Sequence, residues 1–350
     1  MSDWTRRQFL QTTTAAAAGA MAGPSWGFHR QQDPIGLTIS NKHPETLSRL
    51  KIENPNRIKV LQLTDIHFFC SRDKFGDLMD RQTIKDLPKL IELTQPDLLA
   101  VTGDLWHDNP GGRGGEFMEF GVEQIENLGL PWLFTWGNHD QMDNYVEGHD
   151  RLTEAKGSLY RGGPGSGNYS VLLEDREGKP VWEFLCLNTT NIGIQKEQEE
   201  WLKGFRENQS GRESVPMIAF LHIPVLQYQY IWEEKLASGF KLENVCHYGE
   251  DGSGIWHIQD LDRVQACFCG HDHVNDYGGE LEGIELAYGR ATGYAGYGGE
   301  KVKKGGKLIT LDPRNETYEW ETVLYDGTRW HPEKGFQAEE VLDTPWMRGA

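Results

Sequence analysis

Residues 57–67 read Arg57-Ile58-Lys59-Val60-Leu61-Gln62-Leu63-Thr64-Asp65-Ile66-His67. Residues 57–64 have the aliphatic, β-branched pattern of a strand, and the strand stops at a carboxylate with an imidazole two residues on. The same grammar recurs four times. Strand 97–102, apolar without a break, ends at Gly103-Asp104, and strand 131–136 ends at Gly137-Asn138-His139-Asp140. Strand 215–221 ends at His222, and strand 264–269 ends at Gly270-His271-Asp272-His273. Apolar residues at helical spacing over 83–93 and 116–128 separate the first three strands, which makes the expected class α/β. Further helices are expected at 144–155 and 195–205. Strands are expected at 168–173 and 181–187, then at 283–288, 307–311 and 317–324 with glycine-rich connections. In open α/β sheets ligands bind beyond the carboxyl ends of strands, so residues at five such ends can share one site.

Each of these short patterns is weak alone, since Gly-Asp is a common turn and a single His is usually an ordinary core or surface residue. In this order they are specific. Five of the twelve histidines fall at strand ends, beside Asp65, Asp104 and Asn138. Imidazole with carboxylate suits Zn, Fe or Mn, and the shortage of thiolate argues against a structural zinc knot. Eight donors are too many for one four-coordinate ion. Two ions about 3.5–4 Å apart would use them and leave room for a bridging hydroxide.

On these residues the sequence resembles the calcineurin-like metallophosphoesterases, whose five sequence blocks are present in order from about Lys59 to His273. The resemblance implies a four-layer α/β/β/α sandwich with mixed sheets and a dinuclear metal site at one edge. It implies that Asp65, His67, Asp104 and His273 hold one metal, that Asp104 bridges, and that Asn138, His222 and His271 complete the second. His139 would face the phosphoryl oxygens and leaving group, with Asp140 orienting its ring. Phe220-Leu221-His222-Ile223-Pro224 and Val274-Asn275-Asp276-Tyr277 are similar to the plant and fungal branch related to purple acid phosphatases. Two departures separate the chain from true purple enzymes: His107 stands where they place a Tyr, and His67 stands where they have no His. No tyrosinate-to-iron absorption is therefore expected.

The function so implied is an exported phosphoesterase that cleaves phosphate esters by attack of a metal-bridging hydroxide. Its substrate would be a small phosphorylated molecule or a phosphoprotein. Phosphomonoesters are favoured, with a phosphodiesterase acting on cyclic nucleotides or lipid head groups as the alternative. A non-catalytic metal-binding scaffold is disfavoured because no ligand and no counterpart of His139 is missing. A lactamase-type dimetal hydrolase lacks its His-x-His-x-Asp-His motif here. Three features stay open. Arg113, in Gly111-Gly112-Arg113-Gly114-Gly115, is either a phosphate clamp or part of a flexible loop. His107 is a substrate-facing group or an ordinary surface residue, and Tyr294-Ala295-Gly296-Tyr297-Gly298-Gly299 lines the pocket or only connects strands.

The chain has 350 residues, 37% hydrophobic and 25% charged, an ordinary globular composition that rules out wholesale disorder. A net charge of −18 repels phosphate backbones and anionic membranes, so general nucleic-acid binding is excluded. Arg6-Arg7-Gln8-Phe9-Leu10, a mildly apolar stretch and Ala20-Met21-Ala22 resemble a twin-arginine signal. That implies passage through the twin-arginine export machinery and a periplasmic or secreted location. Domains are expected as signal 1–22, arm 23–56, catalytic domain 57–325 and a surface tail 326–350. No run of about 18 apolar residues suggests a membrane span. The five cysteines lack CxxC spacing, so at most two disulfides are possible and the pairing is open.

Overall fold

The computed structural model describes residues 46–189, 192–209 and 211–348, which belong to one compact unit. The expected signal 1–22 and the arm as far as residue 45 lie outside the described residues. In chain order the first strands are β1 (Leu47–Lys51), β2 (Ile58–Leu63), β3 (Leu98–Thr102), β4 (Trp132–Thr135), β5 (Tyr169–Glu174), β6 (Pro180–Cys186) and β7 (Met217–Phe220). There follow β8 (Ala237–Lys241), β9 (Val264–Cys269), β10 (Asn275–Leu281), β11 (Ile284–Tyr288), β12 (Gly305–Asp312), β13 (Thr317–Leu324), β14 (Arg329–Trp330) and β15 (Gln337–Ala338).

They form two mixed sheets, one ordered β14-β13-β12-β2-β3-β4 and the other β1-β5-β6-β7-β9-β11-β10-β8-β15. Strands β3, β4 and β7 are buried along their whole length, as near-continuous apolar runs require of strands covered on both faces, and β5 is buried throughout although it carries Ser170 and Glu174. One apolar core joins Val60, Leu99 and Phe134 of the first sheet to Val171, Phe184 and Phe268 of the second, so the sheets pack face to face. Helix Leu78–Thr94 covers β12 and β13, and helix Gln227–Glu233 covers β8, β10 and β11. The result is an α/β/β/α sandwich. Both halves aim strands at one edge, because β2, β3 and β4 are mutually parallel, as are β7 and β9.

Two expected boundaries are corrected. The arm 23–56 contains a true strand, β1, at the edge of the nine-stranded sheet and parallel to β5. Its Arg49 and Lys51 hide it from a pattern search, yet an edge strand tolerates charges on its free side. The tail 326–350 is likewise structured. It supplies β14 and β15, and Trp330 and Trp346 stack at 4.4 Å in a small apolar cluster with Phe240 and Met347. These aromatics are spaced singly, so they show no period. All five cysteines are free thiols, and burial pushes those of Cys186, Cys267 and Cys269 well above the usual range. No described helix is long and apolar enough to cross a membrane.

Candidate metal centre

Asp65, Asp104 and Asn138 follow β2, β3 and β4 by two or three residues, and His222 and His271 follow β7 and β9 by two. The loops are tied to one another across the sheets. Asp65 N donates to Gly103 O (3.1 Å), His67 N to Asp104 O (2.9 Å), and His271 N to Asp65 Oδ2 (3.0 Å). Asp65, His67, Asp104 and His271 all hold positive φ (53°, 55°, 53° and 76°), a conformation that costs non-glycine residues roughly 1–3 kcal/mol each and gathers at functional sites. Gly103 (φ 85°) lets its loop approach the second sheet, since a Cβ there would lie 2.4 Å from His222 Nδ1. A Cβ on Gly296 would lie 2.7 Å from His273 Cε1, so the 294–299 loop closes directly over that ring.

The sequence-predicted donors converge as two buried triads, Asp65–His67–His273 and Asp104–His222–His271. His67 Nε2 lies 3.0 Å from His273 Nε2, and His273 Nε2 lies 3.3 Å from Asp65 Oδ1. His222 Nε2 lies 3.1 Å from Asn138 Oδ1 and 3.3 Å from His271 Nδ1. One oxygen, Asp104 Oδ2, is 3.3 Å from His67 Nε2 and 3.2 Å from His222 Nε2. Second partners set the ring tautomers. His222 Nδ1 donates to Thr102 O (2.8 Å) and His273 Nδ1 to Tyr297 O (3.2 Å), leaving each Nε2 lone pair facing inward. Burial pushes His67 well down and His271 down to about 3, so both rings stay neutral, the form that ligates. For His222 burial pulls downward, but the Asp104 carboxylate prevails and raises it to about 10, so without a cation its Nε2 carries a proton that ligation would displace. Six acidic or imidazole donors with inward lone pairs and little exposure fit a pair of cations well.

His139 sits beside the triads, its ring 5.1 Å from that of His67 and its backbone N–H donating to Asp104 Oδ1 (2.8 Å). The expectation that Asp140 orients this ring is corrected: His139 Nδ1 bonds to Asp108 Oδ1 at 2.7 Å. Burial works against a charged His139, but that bond and the Asp104 charge outweigh it and hold the ring above its ordinary value. Asp140 accepts four backbone N–H bonds instead, from Asp104 (2.8 Å), Gly137 (2.7 Å), Leu105 (2.8 Å) and Trp106 (3.2 Å). It fastens the Asp104 loop to the Asn138-His139 loop. Asp108 was missed because nothing in its spacing distinguishes it from a surface acid.

His107 lines the cleft, with Nδ1 3.2 Å from His67 Nδ1 and its ring stacked on His139 at 4.6 Å. Arg113 is not the expected clamp. It stands outside the cleft lining and donates to Glu116 from Nε (2.9 Å) and Nη2 (2.7 Å), three residues along the same exposed helix end. The 294–299 run lines the cleft, and Tyr297 stacks on His273 at 4.0 Å.

Residues 58–275 match the calcineurin-like phosphoesterase family, and the chain belongs to that family. It is therefore a metal-dependent phosphoesterase, of a family that uses a dinuclear metal centre. Relatives in Arabidopsis thaliana include "Probable inactive purple acid phosphatase 28", 27% identical over 318 residues, with 78% of this chain and 80% of that protein covered. "Probable inactive purple acid phosphatase 14" is 24% identical over 314 residues, covering 75% of this chain and 78% of the relative. A solved dimetal phosphatase from Danio rerio is similar with a TM-score of 0.49 and 11% identity, over 76% of this chain and 95% of its own.

Proposed function

We propose that the protein is an exported phosphomonoesterase that works with two metal ions at its two triads. Asp65, His67 and His273 would hold one ion, and Asn138, His222 and His271 the other, with Asp104 shared. One observation carries this reading: Asp104 Oδ2 lies within 3.3 Å of a ring nitrogen from each side. When bound, the ions supply charge neutralisation at the phosphoryl oxygens and acidify a water molecule. The chain's own residues do the rest. His139, held by Asp108 through Nδ1, presents Nε2 to the cleft and donates a proton to the departing alcohol oxygen. Asp108 is a positioning residue for that ring. Lys74, Lys303 and Lys304 line the cleft with Glu300 and Asp326, and because Lys303 pairs with Asp326, Lys74 and Lys304 are left to draw in a phosphate ester, the dianionic monoester more than the monoanionic diester. Although related proteins carry the word inactive in their names, this chain keeps every expected donor. Arg6 and Arg7 support export.

The test is metal content per chain, with initial rates on an aryl phosphomonoester and an aryl phosphodiester side by side. Two metals and a monoester preference are expected. A diester preference overturns the monoester assignment, and a doubly loaded protein that cleaves neither would be a scaffold. Export is checked by fractionating cells that express the chain with and without R6K/R7K.

A further inference from the structure

The cleft that begins at the triads extends well past them, to about 900 Å³. Beyond His67 and His139 one side of its wall is built by Phe75, Met79, Tyr294, Ala295, Leu324 and Tyr325, and the cleft is also lined by the exposed Lys74, Glu300 and Asp326, the last paired with Lys303 (2.7 Å). Met79 and Thr83 share one face of helix Leu78–Thr94. Tyr294 N donates to Thr83 Oγ1 (3.1 Å), and the Tyr294 and Tyr325 rings stack 5.4 Å apart.

The polar ends of this wall are already engaged. Tyr294 O–H donates to Asp86 Oδ2 (2.9 Å), and Tyr325 O–H to Thr292 O (3.1 Å). Ser71 O–H donates to Ala295 O (3.2 Å), and Tyr297 O–H to Glu243 Oε2 (2.9 Å). What this stretch turns toward the cleft is ring carbon and methylene. Phe75 stands at the rim, 51% exposed. Against this side a sugar hydroxyl would give up its water partners for no replacement, whereas an apolar group would gain from burial.

We propose that the site takes phosphate esters whose alcohol is elongated and apolar, an alkyl chain or an aryl ring, in preference to sugar or nucleoside phosphates. The proposal rests on the phosphomonoesterase reading above and assigns the far end of the same cleft.

The experiment has two arms on the metal-loaded protein. The first measures kcat/KM for ethyl, butyl, hexyl and octyl phosphate, across which the basicity of the leaving oxygen barely changes, with glucose 6-phosphate, AMP and 2-naphthyl phosphate alongside. The expected result is a rise of about twofold to fourfold per methylene over the first several carbons, with the two polar esters below the hexyl ester. The naphthyl result separates a slot for a ring from a groove for a chain. The second arm measures calorimetric affinity for the matching alkylphosphonates, which cannot be hydrolysed. It should show the same dependence on chain length, with an increasingly negative heat-capacity change. In F75S/M79S both slopes should flatten.

Hydrolysis with no chain-length dependence, or with the sugar phosphate best, overturns this proposal and leaves the phosphomonoesterase reading standing. Phosphonate affinity that rises with chain length in a protein that cleaves no ester supports the apolar cleft and overturns the catalytic reading. Flat phosphonate affinity sinks the proposal whatever the rates.

Discussion

Asp140→Asn separates the two roles that sequence and structure assign to this carboxylate. In the structure its two oxygens accept four buried N–H groups, two each. Whichever way an Asn amide turns, its NH2 faces two of those donors and leaves them without an acceptor. A buried unsatisfied donor costs about 1–3 kcal/mol, so the substitution should cost about 2–6 kcal/mol. For a chain of 350 residues the unfolding entropy is about 0.7 kcal/mol/K, and a mid-range loss of about 4 kcal/mol lowers Tm by ~6 °C. The fastened loops carry Asp104, Asn138 and His139, so metal occupancy should fall in the same samples. The assay is urea unfolding by Trp fluorescence with elemental analysis of each preparation, and Asp108→Asn as the comparison. Suppose Asp140→Asn keeps its stability within about 0.5 kcal/mol and keeps its metal, yet slows only esters with basic leaving groups. The clamp would then be wrong, and Asp140 would act through the His139 ring after all.

Three further outcomes are expected. His139→Ala should keep its metal and lose about 10²–10⁴-fold in rate on alkyl esters, with Asp108→Asn moving rates the same way but less; metal analysis beside steady-state kinetics checks both. Burial holds His149 down to about 4, against an ordinary 6.5, while its Nδ1 accepts from Tyr160 O–H (2.5 Å). The unfolded chain therefore binds a proton between those values that the folded chain does not, and stability drops with pH through that window, by about 2 kcal/mol at pH 5; urea titrations at pH 7 and 5 on wild type and His149→Gln should show the drop shrink in the variant. Asp276 is fully buried, bonded to Lys307 Nζ (2.7 Å), Arg290 Nε (2.8 Å) and Thr322 Oγ1 (2.7 Å), so Asp276→Asn should cost about 3–5 kcal/mol by calorimetry and Lys307→Met on that background should restore part of it.

The legible parts of the fold were those written in unbroken apolar runs. Strands β3, β4 and β7 are buried throughout, and β2 and β9 at every position but Lys59 and Gln265, so their residues carry the signal and the polar residue that ends each one stands out. Strand β10 (Asn275–Leu281) was hidden because its buried run Asn275 to Gly279 holds one large apolar side chain, Tyr277, beside Asn275, Asp276 and two glycines, with Lys307 and Arg290 supplying the charge that compensates Asp276. Strand β8 and the short helices Gln227–Glu233 and Gly254–Gln259 are too brief to show a period. At the site, position relative to strand ends identified the residues that converge. The partner of a given side chain was not legible in the same way. Asp108 reaches His139 across 31 residues, Arg113 turns to a neighbour three residues on, and Asp140 spends its oxygens on backbone. Each outcome depends on loop geometry that only tertiary packing sets.

Each triad draws on both sheets. Asp65 and His67 come from the six-stranded sheet and His273 from the nine-stranded one, while Asp104 faces His222 and His271 across the same seam. An ion seated in either triad would act as a rivet between the halves of the sandwich, much as a disulfide joins two segments. The span of each seat is then set by the thickness of the apolar core behind it. A methyl group removed from Val60 or Val171, in the core the two sheets share, would change the gauge of the site.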